Sequence, residues 1–280
     1  MQKAIKKYFP IFGLPTAIAF VIGFLVPFIM GLYLSFCKFK TVSDTTFVGL
    51  DNYVKLFNDA SFVHSLWFTA LFAVVSIVLI NVLAFTVALL LTKEFTGTHL
   101  FRTVFFMPNL IGGIVLGYIW QLIFNGILAY FSKTLTFSSA YGFWGLTILM
   151  CWQQVGYMMI IYIAGLQSIP GDLYEAARID GASSKQRLLH ITLPMSMPSI
   201  TICTFLTLTN SFKLFDQNLA LTAGAPSKGT EMLALNIYNT FYNRVGWEGV
   251  GQAKAVIFFL LVAVLVLFQL KLTRKKEVQQ

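Results

Sequence analysis

Residues 175–194 read EAARIDGASSKQRLLHITLP and form a polar island between two long apolar segments of the chain. The complete polar stretch, residues 168–198, is longer than the few turn residues that usually join two helices. It combines the helix formers Ala, Leu, Gln and Arg with breakers at defined places, among them Gly181, Pro194 and Pro198. These features predict a helical segment in its own right, built to contact another protein.

The composition of the whole chain indicates a membrane protein. Apolar residues make up 57% of its 280 residues, charged residues make up 11%, and the mean hydropathy is +0.75. Soluble domains are typically about 25% charged. No polar stretch is long enough for a separate soluble core, so we expect one membrane domain. The three cysteines are widely spaced and predict neither a disulfide framework nor a metal clip; they are Cys37, Cys151 and Cys203.

Six apolar runs are long enough to cross a bilayer as helices, which takes roughly 20 residues each. The predicted fold class is therefore an all-α polytopic membrane protein, with a membrane domain over residues 11–273 between short tails, residues 1–10 and 274–280. The first run is too long for the core of a signal peptide, so we predict a retained span. The predicted spans are residues 11–36, 67–91, 104–128, 143–167, 199–222 and 253–273.

The distribution of basic residues predicts how the spans are oriented. Short cytoplasmic loops carry an excess of Lys and Arg, and this excess is obtained when both termini and the polar island lie inside the cell. The net charge of +9 follows from that topology and from a basic tail suited to anionic membrane lipids, so nucleic acid is not an expected partner. The inner set is Lys3, Lys6, Lys7, Lys93, Arg102, Arg178, Lys185, Arg187, Lys271, Arg274, Lys275 and Lys276, and the outer set is Lys38, Lys40, Lys55, Lys133, Lys228, Arg244 and Lys254.

Read locally, the polar island divides into two short helices. Asp172 with Glu175 resembles a capping arrangement at the start of the first helix, which Gly181 can end. Ser183 with Gln186 repeats the capping signature and starts the second helix. The two prolines are predicted to end this second helix before the fifth span begins.

The spacing within the island resembles that of a known family. Glu175-Ala-Ala, then Gly181, then Ile191-x-Leu-Pro194 is similar to the EAA loop of the permease subunits of binding-protein-dependent ABC importers. The resemblance implies a coupling helix that docks into a cleft on a cytoplasmic ATPase. The alternative is that Glu175 only caps its own helix and Gly181 only ends it. The residues to which the resemblance assigns the ATPase contact are Glu175, Ala176, Ala177 and Gly181.

A second resemblance concerns the cargo. Residues 211–226 are similar to the FD…LTxGGP stretch of carbohydrate importers of the maltose, multiple-sugar and glycerol-phosphate type, with Ala225 in place of the usual second Gly. The Phe215-Asp216 pattern resembles the first of the two permeases in such systems. The resemblance implies a bacterial cell-membrane protein, a second permease, a cytoplasmic ATPase dimer that holds ATP and Mg²⁺, and an extracellular or periplasmic sugar-binding protein.

Polar residues in the fourth and fifth spans are candidates for a sugar path, because polar side chains are expensive at mid-membrane and therefore suggest function there. Asn210, Lys213 and Gln217 are predicted to share one helical face. The alternative is that Lys213 pairs with Asp216 and that the amides only hold helices together; Asn81 in the second span carries the same two interpretations. The candidate path residues are Gln153, Gln154, Asn210, Lys213, Asp216 and Gln217.

Signatures of catalysis are missing from the sequence. It has no P-loop motif, so we expect no ATP or other cofactor site in this chain. His64, His99 and His190 have no partners at metal-ligand spacing, and no enzyme activity is expected. Two other classes remain as alternatives: an ion-coupled secondary sugar transporter and a membrane transferase. Within the ABC class the alternative cargo is glycerol phosphate or another polyol, but Asp216 beside Lys213 favours a neutral oligosaccharide.

Overall fold

The structure is a computed structural model that describes residue 9 and residues 11–41, 43–93 and 96–274. Of residue 274 only the backbone is described. Most of the predicted N-terminal tail, and Lys275 and Lys276, lie outside the described residues. The predicted all-α class is confirmed. The helices are α1 (Leu14–Leu34), α2 (Asp51–Phe57), α3 (Ala60–Leu91), α4 (Thr98–Phe106), α5 (Gly113–Ala129), α6 (Ser139–Gln167), α7 (Gly171–Ile179), α8 (Ser184–Met195), α9 (Met197–Phe212), α10 (Asp216–Leu221), α11 (Leu233–Asn243) and α12 (Glu248–Arg274).

Four of these helices are individually long and apolar enough to cross a membrane. They are α1, α3, α6 and α12, and their candidate spans are 21, 32, 29 and 26 residues long. At 1.5 Å per residue, each reaches the roughly 30 Å of a hydrocarbon core. They correspond to the first, second, fourth and sixth predicted spans. The fold therefore supplies the spanning helices where the apolar runs predict them.

The third predicted span, residues 104–128, is wrong as a single straight helix. α4 runs into a 3₁₀ turn, Met107–Leu110, and the pair meets α5 at an angle of 101°. Pro108 lies at the start of that turn, and Ile111 then has extended backbone angles of φ −88° and ψ 132°. Proline lacks the N–H that a continuous helix needs. The break therefore has a local cause.

The fifth predicted span, residues 199–222, is also divided. α9 ends at Phe212, and the short helix α10 begins only at Asp216. At its other end α9 meets α8 at 66°. Neither Gly nor Pro lies between α9 and α10, so packing rather than local sequence sets this break.

The described chain forms two compact units, the first of which combines the described part of Met1–Ala60 with Ile237–Leu260. It contains α1, α2, most of α11 and the first part of α12. It also contains a feature that was not predicted, an antiparallel hairpin of β1 (Cys37–Thr41) and β2 (Asp44–Phe47).

A buried ion cluster lies in this first unit. The Nζ atom of Lys254 is 2.8 Å from Oδ2 of Asp59 and 2.7 Å from Oγ1 of Thr240. The Nη1 atom of Arg244 donates to the same Asp59 oxygen at 3.0 Å. The Lys254 side chain is 0% exposed. The sequence places Lys254 in an outer loop, but the fold buries it against a carboxylate.

The second unit, Ser61–Asn236 with the described part of Leu261–Gln280, is built around α6. In the apolar segment of α6, 67% of the residues are buried, against 28% in that of α3. Tyr162 on α6 donates to Oδ1 of Asn81 at 2.6 Å, and Asn81 donates to Oγ1 of Thr207 on α9 at 3.4 Å. The contacts of Asn81 thus support the interpretation that it holds helices together.

Candidate functional site

The polar island folds into a two-helix segment, α7 with α8, which we call the finger. Gly181 has a φ of +75°, a conformation that glycine adopts readily. Its N–H donates to the carbonyl of Arg178 at 3.1 Å, and the N–H of Ala182 donates to that of Ala177 at 2.8 Å. This pair of bonds is a Schellman termination of a helix. The prediction that Gly181 ends the first helix is confirmed.

Of the two helix caps predicted for the finger, only one is observed. Ser183 and Gln186 form the predicted capping box, in which the Ser183 N–H donates to Gln186 Oε1 at 2.8 Å and the Gln186 N–H donates to Ser183 Oγ at 3.4 Å. The predicted cap at Asp172 is wrong. α7 begins at Gly171 after Pro170, without a side-chain cap, and Asp172 lies in the first turn, where it favours the helix dipole.

The second helix of the finger does not end at Pro194, as the sequence predicts, but one residue later. α8 continues through Pro194 to Met195, and the chain turns at Ser196. A π-helical segment, Leu188–Thr192, changes the hydrogen-bond register just before Pro194, which suits a residue without an N–H. Pro198 lies in the first turn of α9, where its missing N–H has no helical partner to lose.

The surface of α7 presents the predicted coupling residues. Glu175, Ala176 and Gly181 are exposed, and Ala177 is half-buried. Ile179 is 87% exposed and adds a large apolar side chain to this surface. Within the described residues, Glu175 makes no hydrogen bond or ion pair. It therefore does not cap its own helix here.

A cleft of about 250 Å³ opens on the finger beside this surface. Its lining combines small or aliphatic residues with charged and polar ones. The hydroxyl groups of Tyr174 and Thr192, 3.0 Å apart, tie α7 to α8. The finger therefore has a defined shape before any partner binds. The cleft is lined by Ala177, Asp180, Ala182, Gln186, Arg187, His190 and Ile191.

The candidate path residues of the fourth and fifth predicted spans come together. Gln217 Nε2 donates to Gln153 Oε1 at 2.8 Å, and Asn210 Nδ2 donates to Gln154 Oε1 at 3.2 Å. The Gln153 Nε2 donates to the carbonyl of Ile111, in the broken third span, at 3.4 Å. These bonds join α6, α9 and α10, so the amides do hold helices together.

Four of the six candidates also line one cavity of about 160 Å³. Gln153 does not line it, and neither does Asp216. Lys213 is exposed, and none of the ion pairs among the described residues joins it to Asp216. The pairing of these two residues is therefore not observed. The cavity is lined by Met150, Gln154, Asn210, Lys213, Leu214 and Gln217; Met150 and Leu214 are apolar residues in apolar segments, and no sequence signal marks them.

The prediction that Asn210, Lys213 and Gln217 share one face of one helix is wrong, because the helix breaks after Phe212. They still meet at one cavity, because the short helix α10 is held against α5. Gly113 and Gly117 of α5 form a GxxxG sequence, which predicts close helix packing there. A Cβ on Gly117 would lie 2.7 Å from Cβ of Ala220, so the predicted close packing is confirmed.

Residues 81–278 match the family model described as "Binding-protein-dependent transport system inner membrane component". This match covers more than half of the chain, including the finger and the cavity. The chain belongs to this family. The match is the observation that places the finger and the cavity in a transport protein.

Members of the binding-protein-dependent family resemble the chain over almost its whole length. It is 46% identical to the probable starch degradation products transport system permease protein AmyD of Thermoanaerobacterium thermosulfurigenes, with 96% of this chain and 94% of that protein covered. It is 32% identical to the multiple sugar-binding transport system permease protein MsmF of Streptococcus mutans. It is 30% identical to the sn-glycerol-3-phosphate transport system permease protein UgpA of Brucella abortus. The last two alignments each cover 99% of both chains.

Solved structures confirm the fold of this family. A chain of a bacterial ABC transporter involved in the import of the acidic polysaccharide alginate superposes with a TM-score of 0.82, at 21% identity and with 98% of each chain covered. A chain of the MetNI methionine ABC transporter gives a TM-score of 0.58 over 81% of this chain. At this level of identity the likeness concerns the fold alone.

Proposed function

We propose that the chain is the permease subunit of an ATP-driven importer of neutral oligosaccharides, and that it forms the translocation path with a second, different permease. The observation that carries the proposal is the finger. It presents Glu175 and Ile179 on an exposed helix that Gly181 ends, in a chain of the binding-protein-dependent family. The relatives named for starch degradation products and multiple sugars support a carbohydrate as the cargo.

The partners and topology follow from this role. The finger faces the cytoplasm and contacts an ATPase dimer, which binds and hydrolyses MgATP; this chain moves solute and catalyses no reaction itself. Both termini are cytoplasmic, the spans face the lipids of a bacterial cell membrane, and a sugar-binding protein delivers cargo from outside. The basic residues near the finger suit this side of the membrane.

The cavity supplies the part of the path that this chain contributes. Amide groups donate and accept hydrogen bonds, as sugar hydroxyls do, and the ammonium group of Lys213 donates. Gln154, Asn210, Lys213 and Gln217 converge there. A polyol phosphate is the second candidate cargo, favoured by one observation: Lys213 lines the cavity without an ion pair to Asp216, which does not line it.

Alanine substitutions in the cavity should weaken the response to cargo. We expect Gln154→Ala, Gln217→Ala and Lys213→Ala each to raise the sugar concentration for half-maximal ATPase stimulation about two- to tenfold, the range for one lost hydrogen bond of about 0.5–1.5 kcal/mol. The measurement is ATPase activity of the assembled transporter against cargo concentration. Gln167→Ala, an exposed glutamine at the end of the same α6, is the matched control.

The same titration separates the two cargo classes. A neutral oligosaccharide should respond to all three cavity substitutions, whereas a phosphate ester should lose most of its stimulation with Lys213→Ala alone. Unchanged half-maximal concentrations in all three variants would assign the cargo contacts to the second permease.

A further inference from the structure

The short helix α2 is fixed to the end of the first spanning helix. The side-chain amide of Asn52, which is 4% exposed, donates to the carbonyls of Ser35 and Cys37, each at 2.9 Å. The hydroxyl groups of Tyr53 and Ser35 lie 2.7 Å apart, and Ser35 follows the last residue of α1. The 21 residues of α1 extend about 32 Å, close to the thickness of a hydrocarbon core. α2 is therefore held at the level where α1 leaves that core.

Three kinds of side chain lie around the axis of α2. Asn52 and Leu56 are buried against the chain. Asp51 and Lys55 form a salt bridge at 2.7 Å, and both are 52% exposed. The third set is apolar and exposed, and we call it the apolar row: Leu50 at the N-cap, Val54 and Phe57, with exposed fractions of 66%, 57% and 62%.

The directions of these three sets indicate where α2 lies. At 3.6 residues per turn, the buried pair, the salt bridge and the apolar row are about 120° apart around the helix axis. A helix that lies on a bilayer beside its own protein has three surroundings, which are protein, water and lipid. A helix in water needs no apolar row, and a helix within the hydrocarbon core would not carry an exposed salt bridge. The pattern is therefore typical of the junction between protein, lipid and water.

We infer that α2 is an interfacial anchor whose apolar row is buried among the phospholipids of the outer bilayer surface. The side of the membrane rests on the proposed function. An exposed apolar row needs a covering surface, and the bilayer is always present at this level, whereas a soluble partner covers the row only while it is bound. Because Asn52 and Tyr53 connect α2 to α1, the anchor also fixes the depth of the first span.

The charges of α2 contribute little to this anchor. Asp51 neutralises Lys55, so attraction to anionic lipid is not the source of the contact. Burial of apolar side chains drives the insertion instead. We therefore expect the apolar row to enter a bilayer of neutral phosphatidylcholine.

The test compares two neighbouring positions of α2 in the transporter, reconstituted in phosphatidylcholine vesicles. Val54→Cys and Lys55→Cys are made in a Cys151→Ala chain, because Cys37 and Cys203 are buried, and are labelled with an environment-sensitive fluorophore. The signal without the introduced cysteine is subtracted. Nitroxide-labelled lipid should quench the label at position 54 at least about threefold more than the label at position 55, and iodide in the water should show the reverse order. Leu50→Cys, in the same row, should behave like Val54→Cys.

Equal quenching of positions 54 and 55 by iodide would overturn the inference, because the apolar row would then lie in water. A label at position 54 that neither quencher reaches would also overturn it, in favour of cover by the second permease. Protection from iodide that appears only when sugar-binding protein is added would overturn it in favour of that protein.

The side of the membrane is measured separately. Lys55→Cys should react with a membrane-impermeant maleimide that is added to intact spheroplasts. Reaction only after lysis would contradict the topology of the proposed function, and not the burial of the apolar row in lipid. If no partner subunit co-purifies with the chain, the proposed function fails, and the same labels on the full chain alone in vesicles still test the depth of α2.

Discussion

Ile179→Asp in the finger should abolish stable assembly with the ATPase. Ile179 is 87% exposed, and truncation of a hot-spot side chain at the centre of an interface costs about 2 kcal/mol or more, about 30-fold in affinity. Gly181→Pro should have the same result, because it removes the N–H that donates to Arg178 and cannot adopt the φ of +75°. The measurement is co-purification of the ATPase with the tagged permease, followed by its dissociation constant.

The matched control for the finger is Val245→Asp. Val245 is 88% exposed but lies in the first unit, after α11. This variant should retain the full amount of ATPase, and so should the conservative Ile179→Val. Normal assembly of Ile179→Asp and Gly181→Pro, in well-folded protein, would contradict the role given to the finger.

Asp59→Asn should strongly destabilise the chain. It removes the carboxylate that Lys254 contacts at 2.8 Å, and the Lys254 side chain is 0% exposed. Breaking a buried ion pair by removing one partner costs about 3–5 kcal/mol, because a buried charge loses its compensation. The expected result is a large fall in the Tm of the purified protein in detergent, or loss of folded protein altogether.

A second measurement distinguishes this ion pair from a mere packing defect. The double variant Asp59→Leu with Lys254→Met replaces the two buried charges by apolar groups and leaves Arg244, which is 31% exposed, in contact with water, so it should recover most of the Tm. Asp51→Asn is the control. Asp51 pairs with Lys55 at 2.7 Å, but both side chains are 52% exposed, so its loss should cost about 1 kcal/mol or less. Equal Tm values for Asp59→Asn and Asp51→Asn would contradict the account of the buried cluster.

Features with a local cause could be predicted from the sequence. Gly181 ends α7, and Ser183 with Gln186 starts α8, because turn and capping geometry depend on residues three or four positions apart. The long apolar helices follow from composition alone. The break at Pro108 also has a local cause, the proline itself, but a count of apolar residues over 104–128 does not detect it.

Features set by tertiary contacts could not be predicted in this way. No residue between Phe212 and Asp216 is a helix breaker that predicts the end of α9. The position of α10 depends on the hydrogen bonds of Asn218 and on close packing against the glycines of α5, which lie far away in the chain. The burial of Lys254 likewise depends on Asp59, almost two hundred residues earlier. Residue types and spacing identified most of the cavity residues, but only the fold shows which of them share one space.

Transport itself is tested by uptake of labelled oligosaccharide into proteoliposomes that contain this permease, its partner permease and the ATPase, with binding protein added outside. We expect uptake that requires MgATP inside, persists when proton and sodium gradients are dissipated, and is lost with Ile179→Asp. Uptake that continues after complete removal of the ATPase, or that follows an ion gradient, would contradict the proposed function.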